Sequence, residues 1–413
     1  MPFALIKYAF RRRPLPRFLP APPPRKKHYD VVIIGGGGHG LACAYYLGKE
    51  RGVRDVAVFD RGWLGGGNTA RNTAIIRANY LTAEAIRFYG ESARMFAELS
   101  GELDYNILHS PRGHLTLAHT DAACRTAKWR ANMNRHLGEE SRFIDTDEIA
   151  ALCPHLNLSL SARYPVLGAL YHPPGAIARH DAVAWGYAAR AAERGAAIFP
   201  HTEVVGVLQR NGEAYGVRLA DGKEISAGAV VQAAAGASSQ VAAMAGLKLP
   251  LISVPLQAMV SQPLAPFLDP IVVSGSLHVY ISQSARGELV MGGSVDPRPL
   301  HSTRSTARFK ESLAGDILQL FPFLGEARIL RQWAGIADMT PDFSPLMGET
   351  PLKNYYMDAG WGTWGFKATP VCGRTMAETV ATGKTAPLIA PYTMSRFDNL
   401  DLIGEKGAAA VGH

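Results

Sequence analysis

Gly35, Gly37 and Gly40 in the run GGGGHG, with Asp60 twenty residues further on, have the types and spacing to hold a dinucleotide. The first glycine permits a tight turn and the second lets the backbone approach a pyrophosphate. The third lets helix and strand pack closely, so that phosphates meet the helix N-terminus. Gly38 and His39 complete the loop, and Asp60 can accept hydrogen bonds from a ribose 2′-OH. By itself this fingerprint leaves nicotinamide and flavin dinucleotides both open. His278 and Tyr280 alternate with Val279 and Ile281, so on a strand they share one face and could line a small amine pocket. His180-Asp181 opens a predicted helix, where the dipole's positive end and Arg179 disfavour an imidazolium. A neutral imidazole is the nucleophilic form.

The elements that must position these groups follow from the apolar pattern. Val31–Ile34 is an unbroken apolar run expected as a buried parallel strand, Leu41–Leu47 a helix, and Val56–Asp60 a second strand. A donor-rich glycine cluster, Trp63 to Thr73, then reads as a loop wrapping the far end of a long cofactor, ahead of a helix near Ala83–Leu99. Helices are also expected over Ala122–Leu137, Asp181–Gly195 and Phe366–Thr382, and strands over Leu277–Gln283 and Glu288–Gly293. The small-residue strand Gly228–Ser239 and the Gly-rich turn near Gly362 return late to the dinucleotide pattern, which favours FAD over NAD. The expected fold is α/β, with a discontinuous Rossmann-type FAD domain (29–104, 180–250 and 341–395). A mainly antiparallel β-sheet with helices (105–179 and 251–340) would form the substrate domain.

Lys7, Arg11, Arg12, Arg13, Arg17, Arg25, Lys26 and Lys27 precede the first acid, Asp30, and these eight account for the whole net charge of +8. The remainder is formally neutral, so a basic nucleic-acid-binding face is not expected. Six prolines within residues 14–24 make residues 1–28 an extended basic arm, expected to dock on a partner subunit, and residues 396–413 form a tail. No apolar run is long enough for a membrane span. The four cysteines are scattered without a CxxC pair, indicating neither a disulfide framework nor a metal site, and the expected compartment is the cytoplasm.

The ordered motifs Arg61-Gly-Trp-Leu64, Ala70-Arg-Asn-Thr73, Ile75-Ile-Arg77, Asn79-Tyr-Leu81, Arg179–Trp185, His278-Val-Tyr280, Arg331–Gly335 and the tail Gly407–Val411 resemble the D-amino-acid-oxidase-like flavoproteins. The resemblance is closest to the β subunits of heterotetrameric sarcosine oxidases. It implies non-covalent FAD held by the glycine loop with Asp60, Arg61, Asn68, Thr69, Arg71, Asn72, Thr73, Gly362 and Gly365. Gly236 and Val204 would lie on the adenosine side. Arg77 and Lys367 would bind the carboxylate of a small secondary amino acid beside His278 and Tyr280, and Lys367 could instead help dioxygen accept electrons. FMN would be attached to His180, H2O2 would be the product, and α, γ and δ subunits the partners. The alternatives are an FAD-only dehydrogenase subunit for an opine, proline or glycine-type amine, or a non-catalytic flavin-binding assembly subunit. One departure stands out. Where the family reads Gly-Gly-Phe-Lys-Gly, this chain has Trp364-Gly-Phe-Lys367-Ala368, and a glycine position with positive φ would resist tryptophan.

Overall fold

The computed structural model describes residues 10, 18–295 and 298–404. β1 (His28–Ile34), α1 (Gly38–Glu50) and β2 (Val56–Phe59) form the first unit. β3 (Ile75–Ile76), α2 (Ala83–Glu102), β4 (Ser110–Pro111), β5 (His114–Ala118), α3 (Asp121–His136), β6 (Arg142–Ile144), α4 (Thr146–Leu152), β7 (Gly168–His172) and β8 (Ala176–Ile177) follow. α5 (His180–Glu193), β9 (Ala197–Phe199), β10 (Val204–Arg210), β11 (Glu213–Leu219), β12 (Glu224–Gln232) and α6 (Ser238–Met244) come next. The remainder comprises β13 (Ile252–Pro263), β14 (Ile271–Ser274), β15 (Val279–Gln283), β16 (Glu288–Val295), α7 (Ala307–Leu320), β17 (Ile329–Met339), β18 (Leu346–Glu349), β19 (Tyr355–Ala359) and α8 (Thr369–Thr382).

The first sheet has a parallel centre in the order β9-β2-β1-β12-β19. Its central strands are apolar on both faces because both are covered: Val31 and Ile33 belong to one buried cluster, Val32 and Ile34 to another. α1 is buried along most of its length and packs between α5 and α8. One edge of β12 is shared. Its first half pairs antiparallel with β11, Glu224–Ser226 opposite Gly216–Arg218, and its second half pairs parallel with β19, Val230–Gln232 opposite Tyr355–Met357.

The second sheet runs β17-β13-β16-β15-β14-β5-β7-β6 and is antiparallel except where β14 meets β5. It joins strands from two separated stretches of chain over their own apolar cluster, backed by α7. The α/β class with a mainly antiparallel second sheet is as expected. Two local expectations fail. The strand expected from Leu277 begins at Val279, because His278 takes a left-handed φ of +51°. The helix expected from Phe366 begins as a 3₁₀ turn, Phe366–Ala368, and becomes α-helical at Thr369, with Pro370 in the first turn where its missing N–H is harmless.

The described end of the basic arm packs on its own chain. Phe18 packs on Tyr105 with ring centroids 4.9 Å apart, Arg25 pairs with Asp221 at 2.9 Å and Lys26 with Asp55 at 2.8 Å. Most of the arm before Phe18, and the motif Gly407–Val411, lie outside the described residues. Among the described residues no helix is long and apolar enough to cross a membrane.

The segment after α8 is fastened by a buried ion pair. Arg396 donates to both carboxylate oxygens of Asp342, at 2.8 and 3.0 Å, and to the carbonyls of Tyr392 and Ser344. Burial pushes the Asp342 carboxyl up, but the hydrogen bond and charge of Arg396 outweigh it and hold the group below its usual value. The stabilisation is therefore complete above the ordinary carboxylate pKa of about 4 and is lost as pH falls through the lower folded value. Arg396→Met should cost about 3–5 kcal/mol in urea unfolding of the FAD-loaded protein, by leaving Asp342 buried and uncompensated.

Candidate active site

The glycine loop is built by close approach. Gly35 leaves β1 with φ +118°, and a Cβ there would collide with the Ala233 carbonyl; one on Gly40 would collide with the carbonyl of Gly35. At Gly37 a Cβ would meet only Thr69 Oγ1, at 3.3 Å, so the space before the N-terminus of α1 is left clear. Asp60 ends β2 with Oδ2 accepting from the Gly36 N–H and Oδ1 from the Gly62 N–H, both at 2.7 Å, and each oxygen keeps a further lone pair. This cradle fits the diphosphate and ribose of FAD.

The donor-rich loop spends much of its polarity on itself. Asn68 pairs with the backbone of Ile336 on β17, donating at 2.6 Å and accepting at 3.0 Å, so its amide fastens the loop to the second sheet rather than facing a cofactor. Gly236, expected on the adenosine side, packs against β17: a Cβ there would lie 2.6 Å from Ile336 Cβ. Thr69 Oγ1 accepts from the Gly38 N–H at 3.0 Å, and Asn72 Oδ1 from Ala74 at 2.6 Å. Arg71 donates to the carbonyls of Gly66 and Gly67. Arg61 is exposed beside Asp60, and Val204 is buried at the start of β10.

Beyond this loop a cavity of about 150 Å³ opens between residues 71–77, the face of the second sheet and the turn 363–367. Arg71, Arg77, Arg130 and Lys367 line it, with no carboxylate among the described lining residues. The Arg77 guanidinium lies 4.3 Å from the centroid of the Tyr80 ring and donates to Asn79 Oδ1 at 2.9 Å; Tyr80 in turn stacks on Tyr89 at 4.1 Å. Arg130 Nε donates to the Asn79 carbonyl at 2.7 Å. Burial and the neighbouring cations hold the buried His114 imidazole well below its usual pKa, hence neutral. Behind it, burial pushes His172 down to about 4, and Arg77 adds to the effect. Lys367 is treated likewise: burial, then Arg77, hold its ammonium well below the usual lysine value.

Tyr280 reaches the cavity from β15, its ring lying across Gly292 of β16, and burial raises its phenol so that it remains a donor. His278 is not among the described residues lining the cavity. Its left-handed backbone breaks the alternation with Tyr280. Arg130, His114 and Gln257 line the cavity and were missed. The alternation His114-Leu-Thr-Leu pointed to a strand with one polar face, whereas nothing in the polar α3 distinguishes Arg130.

Trp364 needs no left-handed backbone: it is buried, lines the cavity and meets Tyr80 edge-on at 5.4 Å. The turn accommodates the ring, which forms part of the cavity wall. Gly362 does adopt a positive φ, +50°, while Gly365 is helical. His180 stands at the N-terminus of α5, outside the described lining of the cavity. Burial, with help from Arg179, lowers its imidazole pKa, and its buried Nδ1 has no hydrogen-bond partner among the described residues.

A family model described as FAD dependent oxidoreductase matches residues 30–379. A protein named sarcosine oxidase subunit beta, from Arthrobacter sp, is 45% identical over 398 residues, covering 96% of this chain and 98% of its own. Another of that name, from Rhodobacter capsulatus, is 44% identical, with 91% and 90% covered. Among solved structures, L-proline dehydrogenase from P. horikoshii superposes with a TM-score of 0.85 at 29% identity, covering 92% of this chain and all of that one.

An anion entering the cavity should draw a proton onto Lys367. Its depressed pKa rises beside a negative charge, so binding takes up a proton between the two values and weakens as pH rises through them. Calorimetry of the FAD-loaded protein with acetate, in buffers of different ionisation enthalpy, should show this uptake. Lys367→Met should abolish it and weaken binding by about ten- to a hundredfold.

Proposed function

The chain belongs to the FAD-dependent oxidoreductase family, alongside the sarcosine oxidase β subunits, and on that premise we propose that it is the catalytic β subunit of a sarcosine oxidase-like complex. Its reaction is the oxidative demethylation of sarcosine or a similar small secondary amino acid, in the cytoplasm, with H2O2 as product. The carrying observation is the small cavity lined, among the described residues, by four basic side chains and no carboxylate, next to a glycine loop that fits FAD.

In this reading Arg77 and Lys367 bind the substrate carboxylate, with Arg130 reinforcing the positive field and Tyr280 closing the cavity from the second sheet. FAD, when bound, would supply the acceptor for the hydride, with its two electrons, that leaves the C–H bond next to the amine nitrogen. The cations also favour loss of the proton from a bound secondary amine, and the amine must be neutral to give up a hydride. Orientation by the fixed guanidinium supplies most of what the protein adds to the rate. FMN on His180 and the α, γ and δ subunits belong to the same proposal. They are supported by the unpartnered Nδ1 of His180 and by relatives named as subunits.

The likeness to L-proline dehydrogenase supports a second reading, an FAD-only amine dehydrogenase acting on a cyclic or glycine-type amine without FMN. A denaturing gel of the assembled complex under ultraviolet light separates the two: a fluorescent band at this chain's mass is expected, and it should vanish in His180→Ala. Anaerobic addition of sarcosine should bleach the flavin, and a failure to bleach across a panel of small secondary amines would mark a non-catalytic subunit. Arg77→Met should lower kcat/KM by about a hundredfold, through a fall in kcat as well as a rise in KM, with Arg77→Lys recovering part of the loss.

A further inference from the structure

His39 sits in the first turn of α1, yet its ring is turned away from the loop it belongs to. Nδ1 lies 3.0 Å from Asp358 Oδ2 at the end of β19, and Nε2 lies 2.7 Å from the carbonyl oxygen of Gly365. A carboxylate and a carbonyl can only accept, so both ring nitrogens must donate, and the ring that does this is the imidazolium. Gly365 belongs to the turn that carries Trp364 and Lys367 into the cavity. The same ring meets Trp361 edge-on at 4.6 Å, and Trp361 Nε1 also donates to Asp358.

We propose that His39 is a positioning residue that works as a doubly protonated imidazolium, latching the turn 362–367 to the phosphate-binding end of α1 and neutralising Asp358 beside the glycine loop. The charged and titratable groups around it are few. Asp358 faces it from β19, Cys372 from α8 with Sγ 3.3 Å from Nδ1, and Asp338 acts on it from β17. Burial keeps the Cys372 thiol, and that of Cys43 behind it, protonated. Burial raises the Asp338 carboxyl to about 6. For His39 itself burial works against the charged form, but the charge and hydrogen bond of Asp358, the Gly365 carbonyl and Asp338 outweigh it and hold the pKa above its usual value.

The consequence has a definite sign. Below the raised pKa the His39–Asp358 pair is neutral overall. Above it, a buried carboxylate stands uncompensated near a site for a diphosphate, and one ring nitrogen turns a lone pair on an acceptor. Retention of FAD should therefore fall as pH rises through the folded-state pKa of His39.

The test measures FAD release from the loaded full-length protein by flavin fluorescence after ultrafiltration, from pH 6 to 10. Wild type should show one transition above pH 6.5, with release about tenfold faster on its alkaline side. His39→Gln, which keeps a donor but cannot titrate, should show no transition and release FAD at every pH near the wild-type alkaline rate. Asp358→Asn should move the midpoint to lower pH by at least about one unit. A transition surviving in His39→Gln at the wild-type midpoint assigns it to another group, such as Lys367, and overturns the proposal, as does a flat wild-type profile. If His39→Gln fails to hold FAD, Asp358→Asn decides: a lowered midpoint supports the latch and an unchanged one overturns it. Turnover of sarcosine enters none of these readouts, so they stand apart from the substrate assignment.

Discussion

Like charges gathered in a small, mostly dry space repel, and the candidate site is organised around holding several of them there. Arg77, Arg130 and Lys367 converge on one cavity, each less than a tenth exposed. The surroundings make this tolerable in identifiable ways. Asn79 offers its carbonyl to Arg130 and its side-chain oxygen to Arg77, and the face of Tyr80, itself braced by Tyr89, lies against the Arg77 guanidinium. His114 and His172 remain neutral, and the Lys367 ammonium is destabilised. Such an arrangement costs stability in the empty protein and is relieved by an anion, which is how a binding site stores selectivity for its ligand.

The second requirement is that the cations meet a cofactor held by a different layer of the fold. Arg77 follows the loop after β2, Arg130 comes from α3, and Lys367 from the turn before α8. Side-chain contacts between the loop and the second sheet, Asn68 to Ile336 and Trp333 Nε1 to the Arg71 carbonyl at 2.7 Å, keep these parts in register. The substrate pocket is thus referenced to the same glycine loop that fits the dinucleotide.

Which parts could be foreseen follows from how each residue acts. Gly35 and Gly40 were legible because a backbone carbonyl occupies the place of a Cβ, a constraint that one residue type satisfies and that recurs at fixed spacing. Arg77, Lys367 and Trp364 were found through ordered motifs. Asn68 misled because an amide's type reveals that it will be hydrogen-bonded, not that its partner lies on β17. His278 misled because alternation was extended one residue beyond the strand, across a left-handed position that periodicity does not register. Arg130 was invisible: a basic residue on a polar helix reads as solvated until the fold brings α3 against Asn79.

The shared edge of β12 bears on the order in which the protein can be completed during synthesis. Residues 28–34, 224–232 and 355–359 are neighbours in one sheet, and the last of them pairs with β12 just where Gln232 leads into the segment that crowds Gly35. The residues of the nucleotide cradle therefore leave the ribosome well before the strand that braces them. Until β19 and the turn before α8 have emerged, β12 has an open edge and His39 lacks both Asp358 and Gly365. Capture of the cofactor in its final geometry in this sense waits on residues 355–365, more than three hundred positions after the motif that announces it.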